Sequence, residues 1–262
     1  MAAHLQPPLT DGDLTYVMDA LDIHAGQRAA LGASIRDDAE IREAVLGDAR
    51  LFDVVMDDHA VLVRISARLF FSILLFRARA ELAQSSFTME CDGSEELAIF
   101  DGARVSELMH GRGVIDYLLT VLVSFVRIEH WHYVSDRPDG RLVRRRVSSF
   151  DLEGLIAYCA ALVEGERFGA YRQIGDLCLF VVGMLGADGV SKGAVASHLP
   201  LSTWESRGAE FYSLAAGHRD ARETSLGATL QSLRDGFSLA TKPLRLVSSS
   251  YLGPLRDYLF AH

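Results

Sequence analysis

Lysine is almost missing from this chain of 262 residues. Lys192 and Lys242 are its only lysines, and the other 24 of its 26 basic residues are arginines. A GC-rich bacterial genome produces that bias, so arginine abundance alone carries no functional message. Cysteine is scarce as well. Cys91, Cys159 and Cys178 form no C-x-x-C pair and leave an odd one over. Cys159 and Cys178 stand in apolar surroundings and read as reduced core thiols. Long apolar runs are lacking: "LFFSILLF" (69–76) and "LCLFVVGMLGA" (177–187) both fall short of the roughly 18 residues of a membrane span. The start, "MAAHLQPPLT", has no basic stretch followed by an apolar one, so it does not read as a secretory signal. These absences predict a soluble, cytoplasmic protein with no membrane partner.

Most of the usual signatures of catalysis are also absent. No H-E-x-x-H, G-x-x-x-x-G-K-[ST] or G-x-G-x-x-G occurs. "GMLGADGVSKGA" is glycine-rich and contains Lys192, but its spacing does not fit a phosphate loop and reads as a helix end with its following loop. No catalytic residue and no cofactor is expected.

What is present is apolar bulk. The chain is 49% hydrophobic with a mean hydropathy of +0.15, enough for a sizeable core in one large domain or two small ones. Its net charge is −9, and residues 1–60 hold 12 Asp or Glu against 4 Arg. The remainder is close to neutral, so the overall acidity neither excludes nor supports a nucleic-acid face.

The pattern along the chain is mostly of helical period. "LTDGDLTYVMDALDI" opens a helix capped by Thr10, with Asp13 in its first turn. "DDAEIREAVLGDARLFDVVMDD" and the long "AVLVRISARLFFSILLFRARAELA" each read as one helix, the second interrupted by Arg64, Arg68, Arg77 and Arg79. "SFTMECDGSEELAIF" alternates about Asp92-Gly93 and predicts a hairpin. After two helices, "IEHWHYVS" and "RLVRRRVSS" alternate about "DRPDG" and predict a second. From Asp151 onward every segment reads as helix. The expected fold is mainly α, a multi-helix bundle with two small β-hairpins around 86–100 and 128–148. The expected organisation is an acidic helical segment (1–58), a middle part of helices and hairpins (59–150) and a helical bundle (151–262).

Three groups of residues are candidates for chemistry. Glu129 and His132 in "EHWH" have E-x-x-H spacing, but on a strand they point to opposite faces, and the coherent pair is His130 with His132. With one such pair and no cysteine nearby, no metal is expected. Arg172 and Asp176 stand four apart on an apolar helix and read as a structural ion pair, with a ligand-binding pair as the alternative. Gly175, Gly183 and Gly186 on that helix suggest close helix contacts. Arg137, Arg141, Arg144, Arg145 and Arg146 concentrate positive charge on the second hairpin. Alternation puts Leu142, Arg144 and Arg146 on one face and Arg141, Val143, Arg145 and Val147 on the other. The split predicts a strand that docks on carboxylates of the acidic segment, in the same chain or a neighbouring subunit. Only the tip, Arg137 and Arg141, would then remain for an outside partner.

"YRQIGDLCLFVVGML", "ESRGAEFYSLAA", "RLFFSILLFRARAEL" and "IDYLLTVLVSFV" together resemble an uncharacterised family of helical bacterial proteins, over residues 60–260, and that resemblance implies no activity. A second resemblance is local to residues 60–148. Helix, strand, helix, helix and hairpin follow one another there as in a winged helix-turn-helix, and "DRPDGRLVRRRV" is similar to the wing of MarR-type repressors. It implies that Arg137, Arg141 and Arg144 reach the minor groove or phosphates. The sequence departs at the recognition helix. "GVIDYLLTVLVSFVR" has Asp116 in its first turn, a basic residue only at Arg127, and the look of a buried helix.

The reading that follows is a non-catalytic regulatory or assembly module acting through protein–protein contact, as a homodimer or with another protein. A winged-helix DNA-binding regulator is the alternative, and a metal-dependent enzyme using His130 and His132 a further one. No small-molecule ligand is indicated.

Overall fold

A computed structural model describes the chain except for residues 1–8, 59, 86–87, 93–94, 100, 137–141, 192, 194, 196, 198, 223, 254–258 and 260–262. The fold is mainly α with two antiparallel hairpins, each a separate two-stranded sheet. The chain forms two compact units, Met1–Ser106 and Glu107–His262. That division lies between the soft boundaries expected at 58 and 150.

In the first unit, α1 (Asp11–Ala20), α2 (Ala25–Asp37), α3 (Ala39–Leu46), α4 (Ala49–Asp57), α5 (Val61–Arg64) and α6 (Ala67–Gln84) precede the hairpin of β1 (Thr88–Asp92) and β2 (Glu95–Ile99). Thr10 caps α1 as expected, in a capping box. Its hydroxyl accepts from the Asp13 N–H, and the Asp13 carboxylate accepts from the Thr10 N–H. Asp13 also accepts from the Ser66 N–H and hydroxyl, both at 2.8 Å, so one buried carboxylate ties the starts of α1 and α6 together. The two long helices expected here are each broken. Asp48 caps a new helix after Gly47, and Ser66 caps α6 after the short α5. Both breaks follow from side chains that offer the backbone an alternative acceptor. Of the arginines that interrupt α6, Arg77 pairs with Glu81 at 2.8 Å. Arg79 is buried, pairs with Glu43 and lies over the Phe76 ring.

α7 (Gly102–His110) contains the boundary between the units. The second unit continues with α8 (Val114–Ser124), β3 (His130–Asp136), β4 (Leu142–Ser148), α9 (Leu152–Ala161), a 3₁₀ turn (Glu164–Glu166) and α10 (Phe168–Phe180). A π turn (Val181–Leu185) leads into α11 (Gly186–Ser191), α12 (Leu201–Gly217), α13 (Arg219–Arg222), α14 (Leu226–Asp235) and α15 (Phe237–Leu246), which ends in a second π turn (Val247–Leu252). α10 is central. It packs on α12 and α9, while Phe125 stacks on Phe180 at 4.6 Å and Phe150 meets both rings edge-on at 5.2 and 5.8 Å.

The run Phe168–Ser191 is, by length and composition, long and apolar enough to cross a membrane, although 72% of its apolar window is buried inside the fold. It is longer than the segment visible in sequence because helical turns continue on both sides of it. It is not straight, because Gly186 bends it with φ +62° and ψ −167°, a conformation open only to glycine. The freed π-turn carbonyls find partners on α15 and its continuation. Met184 O accepts from the Ser248 hydroxyl at 2.6 Å, and Val182 O from Arg245 Nε at 3.4 Å.

Candidate functional site

The second hairpin is fixed at its base and on one face. Ser149 N–H donates to Glu129 O, and Glu129 N–H donates to the Ser149 hydroxyl. On the inner face Trp131 and Tyr133 meet Tyr158 of α9 edge-on, at 5.8 and 5.2 Å, and Val147 is buried opposite Trp131. Arg145, opposite Tyr133, belongs to this inner face yet reaches solvent. Burial of alternate residues fixes the register, so every second side chain is presented outward.

The outer face carries His130, His132 and Val134 on β3 and Leu142, Arg144 and Arg146 on β4. Arg146 is opposite His132, and Arg144 is opposite Val134. All six are exposed, Val134 at 59% and Leu142 at 72%. Among the described residues neither Arg144 nor Arg146 makes an ion pair. Within the second unit, then, these two are not engaged by a described carboxylate. Arg137 and Arg141, expected at the tip, lie outside the described residues.

The Arg172–Asp176 pair is the second candidate, and its geometry differs from the expected ion pair. Arg172 Nε is 3.9 Å from Asp176 Oδ2 and is itself buried without a hydrogen bond. The short bonds come from elsewhere. Tyr117 of α8 and Tyr212 of α12 both donate their hydroxyls to Asp176 Oδ1, at 2.6 and 2.9 Å. The two rings meet edge-on at 6.0 Å. The Asp176 side chain is 14% exposed. Burial raises its pKa, opposed by Arg172 and the two hydroxyls. Burial, and after it the nearby Asp176 charge, pushes both tyrosines well above their ordinary range, so they remain donors. Both protons are committed to one oxygen, which makes the cluster a clamp across three helices. Gly175 makes room for it, since the Tyr212 ring lies where a Cβ would stand. The nearby Cys178 thiol is pushed up to about 12 by burial and is inert as a nucleophile.

His130 and His132 do share a face, but among the described residues no group of three or more His, Cys, Asp or Glu could hold a metal ion. The two phenols were missed in sequence because Tyr117 and Tyr212 lie 59 and 36 residues from Asp176. The would-be recognition helix, α8, buries Val114, Tyr117, Leu118, Leu119, Val121 and Leu122. β1 pairs with β2 and not with the second hairpin. No protein-family model, curated protein or solved structure matches this chain.

Proposed function

We propose that the protein is a non-catalytic assembly or regulatory module that binds an acidic protein surface through the outer face of β3–β4. The observation that supports this most is Arg144 and Arg146, exposed and without ion pairs among the described residues, beside exposed Val134 and Leu142. Apolar side chains that shed water on contact, with arginines among them, are the composition of a protein interface. A track for phosphates needs the charges but gains little from the leucine and valine. A DNA reader would also need a helix free to enter the major groove, and α8 spends its apolar face on the core.

Fluorescence anisotropy with two probes tests the proposal. One is a labelled peptide of Glu residues interspersed with Leu, and the other is a labelled DNA duplex. Both are titrated between about 0.05 and 0.2 M salt. The peptide should bind saturably, and R144E/R146E should weaken it by at least about tenfold. If the duplex binds tightly with a steep salt slope that the same variant abolishes, and the peptide is ignored, the winged-helix reading replaces this one.

A further inference from the structure

We infer that the partner of the hairpin face is the α4–α5 surface of a second copy of this chain, an inference that rests on reading that face as a site for carboxylates. α4 exposes Asp53 and Asp57, four residues apart on one side of the helix. Neither makes an ion pair among the described residues, whereas the neighbouring Asp58 is committed to Arg64 and Tyr16. This arrangement is unfavourable in the isolated chain. Like charges at i and i+4 repel, and Asp57, the last residue of α4, faces the negative end of the helix dipole. A cationic partner would relieve both costs.

The spacing of the charges also matches. Four residues along a helix place Asp53 and Asp57 about 6 Å apart along its axis. Two residues along a strand place Arg144 and Arg146 about 7 Å apart. Each pair has apolar companions in the open. Val54, next to Asp53 on α4, is 40% exposed and Val63 of α5 is 87% exposed, as Val134 and Leu142 are beside the arginines. A surface that offers two carboxylates at the pitch of two arginines, with valines at hand, is complementary to the hairpin in charge, spacing and apolar character.

Sedimentation velocity over a concentration series at low salt tests this. Wild type should self-associate, and R144D/R146D and D53R/D57R should each raise the dimer Kd by about a hundredfold, because each sets like charges against each other. An equimolar mixture of the two variants should then associate again, since each altered surface meets a complementary one on the other chain. That recovery excludes misfolding as the cause of the single defects. A mixture that stays monomeric, or variants that associate like wild type, overturns the inference. If wild type is monomeric throughout yet still binds the acidic peptide through Arg144 and Arg146, the self-partner is wrong and the proposed function stands. If it binds neither, both fall.

Discussion

Replacing Asp176 by Ala should lower the stability of the second unit by about 2–4 kcal/mol, read as a shift in denaturant midpoint. The loss comes from donors left without an acceptor. Tyr117 and Tyr212 both donate to Asp176 Oδ1, and a buried donor stripped of its partner costs about 1–3 kcal/mol. Arg172 adds less, because its side chain is 26% exposed and its nitrogen stands 3.9 Å away. Offsetting part of this, the variant no longer buries a carboxylate. Asp176→Asn separates the two effects. An amide oxygen still accepts from both tyrosines, so Asn should cost less than half of what Ala costs. The pKa of Asp176 is raised in the fold, so the folded state holds that proton more tightly than the unfolded chain. Its contribution is therefore fully present below the ordinary carboxylate range and is lost as pH rises through the raised value. The Asn variant should lack this component of the pH dependence. An unchanged midpoint in the Ala variant, or equal losses for Ala and Asn, would refute the clamp.

Gly208→Ala should destabilise by about 2–3 kcal/mol, against the usual direction for glycine in a helix interior. Elsewhere alanine gains up to about 1 kcal/mol over glycine. At Gly208, in the middle of α12, an added Cβ would stand 2.2 Å from Phe237 Cζ and 2.9 Å from Cys178 Cβ. Phe237 is buried and its ring cannot bend aside, and Cys178 Cβ moves only with the α10 backbone. The two helices would have to separate. Gly169 in the first turn of α10 is the control, with nothing within 4 Å of its Cβ position. Gly169→Ala should be neutral or stabilising in the same assay. If Gly208→Ala stabilises as well, the close α10–α12 crossing is not what the core depends on.

Period and turn chemistry are local, so both hairpins, the Thr10 cap and the mainly α fold were legible in the sequence. Gly175 was legible as a close-contact residue because glycine weakens an apolar helix unless a neighbour packs against its bare backbone. The breaks at Gly47 and before Ser66 were not. Each hinges on one side chain capping the next helix while the apolar pattern runs on through the gap. Asp13 looked like a first-turn acid, and its bonds to Ser66 span 53 residues. Asp176 drew attention as a buried carboxylate, but its true partners are phenols from two other helices, which spacing along one helix cannot indicate. Arg144, Arg145 and Arg146 were sorted onto the right faces by alternation. That Arg144 and Arg146 lack intrachain ion pairs among the described residues needed three dimensions.

The most direct test of the central claim, that the outer face of β3–β4 is the binding surface, is amide chemical-shift mapping of the ¹⁵N-labelled protein titrated with the acidic peptide. Progressive, saturable shifts at His130–Val134 and Leu142–Val147, with Tyr117, Asp176 and Tyr212 unmoved, are the predicted result. Shifts centred on Tyr117, Asp176 and Tyr212, with the hairpin silent, would contradict it and make the buried carboxylate the functional site.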